Sequence, residues 1–192
     1  TLPMATTTIR PATADDAESI AEIHVRAWRE TYAGLLPKAL LDGLSVERRV
    51  AWWRGLLDGT NNPSRTAVFI AVGENDQAVG FGSCGRQRDP ELDAAGFDAE
   101  VETIYLLDKV KRLGTGRQLM TTLAAAMLTE GYRGAALWVL RENDSARRFY
   151  EALGAAIVGE REEWRSDDFV MREVAYGWPD LDVLQSLARP NA

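Results

Sequence analysis

Residues 110–120 read VKRLGTGRQLM and place two glycines, Gly114 and Gly116, between basic side chains and the start of an apolar helical pattern. The preceding EVETIYLL is typical of a strand, and the following helix is predicted to run to about Glu130. A strand, a glycine turn and a helix start leave backbone N–H groups unpaired at the turn, where the helix dipole adds positive potential. The stretch therefore predicts an anion-binding loop in an α/β protein.

The charges around the loop favour a phosphate compound. Lys109, Lys111, Arg112 and Arg117 surround the glycines with no carboxylate between them. A dinucleotide-binding fingerprint needs a third glycine where this chain has Leu119, and the Gly-Lys-Ser/Thr of a P-loop is absent. Taken alone, the loop fits either a pyrophosphate cradle or an ordinary tight turn with solvated basic residues.

The rest of the chain alternates strand-like and helix-like segments. The nearly all-apolar AALWVL, residues 135–140, reads as a strand buried on both faces. A helix is predicted after residues 142–144 and ends at Gly154. Its apolar residues recur at helical spacing and are Ala146, Phe149, Tyr150 and Leu153. No repeat or linker interrupts this order, so the sequence predicts one α/β domain over residues 1–192.

Composition narrows the classes of function. The formal net charge of −7 argues against nucleic-acid binding, which relies on a basic face, and is compatible with a small cationic acceptor. No apolar run approaches the roughly 20 residues that span a bilayer, and no secretory leader is recognised. Cys84 is the single cysteine and His24 the single histidine, which argues against a Cys/His metal site. We expect a cytoplasmic protein with no membrane or nucleic-acid partner and no metal.

Together these segments resemble the GNAT superfamily of N-acetyltransferases. The phosphate-loop pattern of that family, Gln/Arg-x-x-Gly-x-Gly/Ala, falls on residues 111–116, with Lys111 in place of Gln or Arg and Arg112 where a further glycine is common. A second family segment, an Asn at a strand end before a helix that carries a Tyr and is closed by Gly, matches Asn143, Tyr150 and Gly154. The opening IRPATADDAESIAEIHVRAWRETYAGLLP, residues 9–37, is also similar to the start of many members.

The resemblance implies a fold and a donor. The fold would be a mixed, mostly antiparallel seven-stranded sheet with a splayed parallel central pair, flanked by helices. The donor would be acetyl-coenzyme A, with its pyrophosphate on the loop amides and its pantetheine arm between the splayed strands, and no metal would be needed. The residues expected to hold the donor are Leu106, Leu107, Lys111, Arg112, Leu113, Gly114, Thr115, Gly116, Arg117, Asn143, Ala146 and Phe149.

Acetyl transfer to an amine requires a neutral nucleophile and protonation of the departing thiolate. The resemblance implies Tyr150 as the proton donor; the alternative is a core aromatic residue. It implies Glu100 as the carboxylate base, with Glu102 on the same strand face; the alternative for both is a polar strand end facing water. Trp28 and Tyr32 fall in the segment that borders the acceptor pocket in this family. His24 lies on an apolar helical stripe and is expected to be a core residue.

The resulting hypothesis is an enzyme that transfers acetyl from acetyl-coenzyme A directly to an amine in a ternary complex. The acceptor could be a small-molecule amine or an amine of a peptide or protein, and a homodimer is left open. The alternative hypothesis is a module that binds or senses coenzyme A without catalysis.

Overall fold

The computed structural model describes residues 7–166 and 169–188. Its sheet has seven strands in the order β1-β2-β3-β4-β5-β7-β6. All neighbouring strands are antiparallel except β4 and β5, which are parallel. This confirms the mixed sheet that the resemblance implies. The strands are β1 (Thr8–Pro11), β2 (Ala67–Val72), β3 (Ala78–Arg86), β4 (Ala99–Leu106), β5 (Ala135–Leu140), β6 (Ala156–Ser166) and β7 (Phe169–Trp178).

Seven α-helices connect and flank the described strands. They are α1 (Ala17–Tyr32), α2 (Lys38–Asp42), α3 (Val46–Leu57), α4 (Pro90–Ala94), α5 (Thr115–Thr129), α6 (Asp144–Ala152) and α7 (Leu181–Ser186). None of these helices is long and apolar enough to cross a bilayer. Gly131, with a φ of 92°, lies just beyond α5, in the left-handed conformation that glycine adopts without strain.

Each face of the sheet is covered by its own group of helices. On one face α1 and α3 bury Ile20 and Trp53 against Phe81 of β3. On the other face α5, α6 and α7 bury residues such as Leu123 against Leu137 of β5. The strand predicted from AALWVL is buried almost throughout, because helices cover both faces at the centre of the sheet.

The parallel pair β4 and β5 separates soon after it begins. In the described chain these strands pair at two positions, Ala99 with Ala135 and Glu100 with Ala136. Directly beyond, the pairing of β4 with β3 shifts by one residue, so that Glu102 is an extra residue in the ladder. A β-bulge bends its strand and increases the local twist. The bulge therefore lies where β4 turns away from β5, and the gap between the two strands opens there.

Candidate active site

A cavity of about 700 Å³ occupies the gap between β4 and β5. Val101, Leu137 and Val139 line it and belong to the core beneath α5 and α6. Tyr105 also lines it but packs against the core beneath α1 and α3. Because the lining comes from both cores, the cavity spans the sheet from one face to the other.

The loop before α5 forms one end of this cavity. Gly114 has a φ of 90° and is the N-cap of α5, and a Cβ placed on it would meet no atom within 4 Å. The first N–H groups of a helix have no acceptor within the helix, so this end presents donors beside open space. Arg112 has a φ of 63°, the left-handed conformation, which fits a position where glycine is common in the family. Backbone donors, open space at Gly114 and nearby basic side chains together match a pyrophosphate group.

Gly116 lines the cavity, but its Cβ position faces neighbouring side chains rather than open space. A Cβ on Gly116 would lie 3.0 Å from Cζ of Phe149 and 3.3 Å from Cδ1 of Leu106. The absence of a side chain therefore allows α5 to pack against α6 and β4. Gly114, with open space around it, is the glycine that leaves room for a ligand.

Most of the residues predicted to hold the donor lie together along the cavity. Those in its lining are Leu106, Lys111, Arg112, Gly114, Gly116, Arg117, Asn143, Ala146 and Phe149. Leu107, Leu113 and Thr115 lie outside the lining. Leu107 is buried in the core beneath α1 and α3, and its N–H donates to the carbonyl of Val79. Leu113 is 53% exposed, while Thr115 is buried with its hydroxyl 3.4 Å from that of Thr7.

Two basic side chains near the loop are already paired with other residues. Lys111 Nζ lies 2.6 Å from a carboxylate oxygen of Asp108, and Lys109 Nζ donates to the side-chain oxygen of Gln77. Arg112 and Arg117 line the cavity as well. The positive charge available to an anion at this end thus comes mainly from these two arginines.

Helix α6 brings Asn143 and Tyr150 to the cavity. Asn143 Oδ1 accepts a hydrogen bond from the backbone N–H of Ala146, so Asn143 caps the helix. The Tyr150 ring packs in the core with its edge against Trp178, while the residue also lines the cavity. Among the described residues, none forms a hydrogen bond with the Tyr150 hydroxyl. Burial raises the Tyr150 pKa above its usual value, so the group is protonated at neutral pH.

The structure separates the two candidate carboxylates. Glu100 is buried and bound by both Nε and Nη2 of Arg88, at 2.9 and 2.8 Å, and it is not part of the cavity lining. Glu102 lines the cavity. The reason lies in the strand pairing, because Glu100 is still paired with Ala136 whereas the gap begins beyond it. Of the two predicted carboxylates, the structure places Glu102 on the cavity and Glu100 outside its lining.

The surroundings of Glu102 hold its carboxylate in place. The Thr66 hydroxyl lies 2.9 and 3.1 Å from its two oxygens, and the Asn62 side chain clamps Thr66 by accepting from its N–H and donating to its carbonyl. Gly85 leaves the necessary space, since a Cβ there would lie 3.0 Å from Oε1. Burial is the main cause that raises the Glu102 pKa; the hydrogen bond from Thr66 lowers it, and the charge on Glu100 adds a smaller increase.

Aromatic residues form the end of the cavity that faces α1. Tyr32 lines the cavity, whereas Trp28 lies behind it and donates from Nε1 to the Tyr105 hydroxyl at 2.7 Å. His24 stacks on Tyr105 and accepts a hydrogen bond from Trp53 at Nδ1. Burial lowers the His24 pKa to about 3, so His24 is a neutral core residue, as its position on an apolar stripe predicts.

The sequence analysis did not single out several lining residues, among them Glu30, Tyr105 and Trp138. Glu30 lies in the last turn of α1, Tyr105 near the end of β4 and Trp138 in the middle of β5. Glu30 is two residues before Tyr32, and Tyr105 belongs to the strand that leads into the loop, so both had a signal in the sequence. Trp138 had none, because a Trp in an apolar strand is usually a core residue.

Comparison with known proteins places this arrangement in a family. The family model described as the acetyltransferase (GNAT) family matches residues 18–155. The uncharacterized N-acetyltransferase YuaI of Bacillus subtilis (strain 168) is 33% identical over 180 residues, which cover 94% of this chain and 97% of YuaI. An uncharacterized N-acetyltransferase of Archaeoglobus fulgidus is 30% identical over 143 residues, 74% of this chain and 88% of the relative.

Solved structures share the fold at lower identity. The structure of yncA from Salmonella typhimurium, solved with its cofactor acetyl-CoA, superposes with a TM-score of 0.66 at 19% identity and covers 97% of each chain. The PaiA N-acetyltransferase from Thermoplasma acidophilum, in complex with coenzyme A, gives a TM-score of 0.65 at 19% identity and covers 88% of this chain and 98% of its own. With the family match over residues 18–155 and the relatedness to YuaI along nearly the whole of both chains, this protein belongs to the GNAT family of acetyltransferases.

Proposed function

We propose that this N-acetyltransferase transfers the acetyl group of acetyl-coenzyme A directly to an amine, with both substrates held at once in the cavity between β4 and β5. The observation that carries the proposal is the continuity of that cavity. It runs from the glycine loop and its arginines on one face of the sheet to Glu102 and Tyr32 on the other. A donor entering from one face and an acceptor entering from the other would meet within the gap.

The loop end suits the donor. The helix N-terminus of α5 would bind the pyrophosphate, assisted by Arg112 and Arg117, and the apolar walls Leu106, Leu137 and Val139 would contact the pantetheine arm. The complexes of yncA with acetyl-CoA and of PaiA with coenzyme A support this assignment by their shared fold. When bound, acetyl-coenzyme A supplies the activated thioester.

Two residues of this chain would transfer protons during the reaction, Glu102 as acceptor and Tyr150 as donor. Glu102 accepts a proton from the ammonium form of the acceptor, and the freed nitrogen then forms a C–N bond with the thioester carbonyl carbon. As the C–S bond breaks, its electron pair stays on sulfur, and Tyr150 donates the proton that converts the thiolate to a thiol. The nitrogen loses a second proton as the amide forms, and that proton reprotonates Tyr150. The products are an N-acetylated amine, the coenzyme A thiol and the first proton, which Glu102 releases to solvent. The whole chain, residues 1–192, would act as one domain in this reaction.

A steady-state assay of thiol release from acetyl-coenzyme A with varied amines tests the proposal. Direct transfer in a ternary complex gives intersecting double-reciprocal lines when both substrates are varied; parallel lines would contradict it. Coenzyme A binding by calorimetry without release of thiol for any amine would favour the alternative, a non-catalytic binding or sensing module. The Tyr150 hydroxyl, which has no hydrogen-bond partner in the part of the chain that the structure describes, and the half-buried Glu102 are groups that a binding module would not need.

Replacing Gly114 with Val is expected to weaken coenzyme A binding at least tenfold. The new side chain would occupy the open space beside the loop amides, and the left-handed backbone costs roughly 1–2 kcal/mol for an L residue. Gly131→Val is the matched control, because Gly131 has a φ of 92° and equally open surroundings just beyond the opposite end of α5. Calorimetry should find the affinity reduced for the first variant only; equal affinities for the two variants would contradict a role for the loop.

A further inference from the structure

The cavity follows one face of helix α6 to the protein surface. Among its lining residues on this helix are Ser145, Arg148, Phe149 and Ala152, which are spaced at i, i+3, i+4 and i+7. That spacing defines one face of a helix, and seven residues of helix advance about 10 Å. Ser145, Arg148 and Ala152 are exposed, so the lining along this face is open to solvent. We call this part of the cavity the α6 groove.

The α6 groove lies at the loop end of the cavity. A Cβ on Gly116 would lie 3.0 Å from Cζ of Phe149, so the start of α5 and the middle of α6 touch through the Phe149 ring. Arg117 follows Gly116 in the chain and Arg148 precedes Phe149, and both arginines line the cavity. Arg148 is therefore at the same end of the cavity as the glycine loop.

This end of the cavity is strongly positive. In the part of the chain that the structure describes, the loop, α5 and α6 contribute no carboxylate to the lining, but they contribute four cations: Lys111, Arg112, Arg117 and Arg148. The carboxylates of the lining, Glu30 and Glu102, belong to α1 and β4 instead. Such a cluster of like charges attracts an anion that carries several negative charges.

Arg148 is not engaged elsewhere in the described chain, in contrast to its neighbour Arg147. Arg147 donates to the Tyr176 hydroxyl at 3.2 Å and lies 3.8 Å from a carboxylate oxygen of Asp144. The carboxylate of Glu151, one turn beyond Arg148, accepts a hydrogen bond from the same Tyr176 hydroxyl. Arg148 forms no ion pair or hydrogen bond with any described residue, so its guanidinium is available to a ligand in the α6 groove.

We propose that Arg148 binds the 3′-phosphate of coenzyme A, so that the enzyme selects donors that carry this group. The inference rests on the proposed binding of acetyl-coenzyme A. The pyrophosphate carries one negative charge on each phosphate, and the 3′-phosphate, a monoester, adds about 1.5–2 more near neutral pH. Arg112 and Arg117 at the loop match the pyrophosphate. Arg148 supplies the positive charge for the monoester, whose oxygens suit the planar guanidinium.

The test compares two ligands that differ only in the 3′-phosphate, coenzyme A and 3′-dephosphocoenzyme A. Calorimetric titration into the unmodified protein should find the affinity for coenzyme A higher by about threefold to tenfold, as expected for an ion pair exposed to solvent. The ratio of the two affinities should fall as salt is added, because salt screens exposed charges. Binding alone is measured, so the result does not depend on finding an amine acceptor.

Arg148→Gln should bring the ratio of the two affinities close to one, and Arg148→Lys should retain part of the preference because it keeps the charge. Arg54→Gln is the matched control, since Arg54 is an exposed arginine of α3 outside the cavity lining, and it should leave the ratio unchanged. Equal affinities in the unmodified protein, or the same ratio in Arg148→Gln, would overturn the inference while the proposed donor site stands. If neither compound binds, the inference and the proposed donor site both fail.

Discussion

Replacing Glu102 with Gln should lower kcat/KM at neutral pH by about 10²- to 10⁴-fold, the range for loss of general base catalysis. The amide keeps the shape of the side chain and can still accept the hydrogen bond from Thr66, but it does not take a proton from an ammonium group. Activity should recover as the pH approaches the pKa of the free amine, near 10, because the nucleophile then loses its proton to solvent. Profiles of kcat/KM against pH that run parallel for the variant and the unmodified enzyme would contradict the role of Glu102.

The pH profile of the unmodified enzyme also follows from the burial of Glu102. Because burial raises its pKa, the carboxylate becomes protonated, and kcat/KM falls, at a higher pH than the roughly 4.3 of a free glutamate. A raised pKa in the folded state means that the protonated form stabilises the fold at low pH and that this contribution is lost as the pH rises through that pKa. Glu102→Gln removes this half-buried charge, so the Tm of the variant at neutral pH should equal or exceed that of the unmodified protein.

Three further variants distinguish a carboxylate that acts as the catalytic base from one with a structural role. Glu100→Gln should retain most of the activity, because Glu100 is bound to Arg88 outside the cavity, although it should lower stability. Thr66→Val should shift the acidic limb of the profile to higher pH, since the hydrogen bond from Thr66 lowers the Glu102 pKa. Thr66→Ser keeps the hydroxyl and should restore the original limb. A greater loss of activity in Glu100→Gln than in Glu102→Gln would reverse the assignment.

Tyr150→Phe should lower kcat by about 10- to 10³-fold, with the affinity for coenzyme A nearly unchanged. The ring and its contacts in the core remain, and only the hydroxyl is lost. That hydroxyl forms no hydrogen bond within the described residues and lies on a residue of the cavity lining, so its removal leaves no partner unpaired. Because its pKa is raised, the Tyr150 hydroxyl remains protonated throughout the neutral range.

Tyr176→Phe is the matched control for this change. Tyr176 lies in the same core with its ring about 6.0 Å from that of Tyr150, and its hydroxyl bonds to Glu151 and Arg147 outside the cavity. Loss of the Tyr176 hydroxyl should lower the free energy of unfolding, with little change in kcat. Rates are measured in a single turnover, because that measurement observes acetyl transfer and not product release. Unaltered single-turnover rates in Tyr150→Phe would leave Tyr150 as a core aromatic residue.

The helices and strands around the glycine loop could be predicted from the sequence, because they depend on residues that are neighbours along the chain. The family could be recognised from the motifs that these elements carry. The glycine loop, the helix after it and the apolar strand AALWVL are set by spacings of a few residues, and those local patterns predicted the strand, loop and helix that the structure contains. The mixed sheet with its divergent parallel pair was predicted through the resemblance to the family that those motifs carry.

Which side chains reach the cavity was decided by contacts between distant segments. The choice between Glu100 and Glu102 depends on the position at which β4 stops pairing with β5, and strand pairing is a long-range property. Gly116 faces Phe149, which lies 33 residues further along the chain. The position of Gly116 in the motif therefore could not predict this contact. Glu30 and Tyr32 of α1 line the cavity together with residues of β4 and β5, which are distant from them in the sequence. Local spacing thus determines the elements, and only packing between elements determines which of their side chains meet.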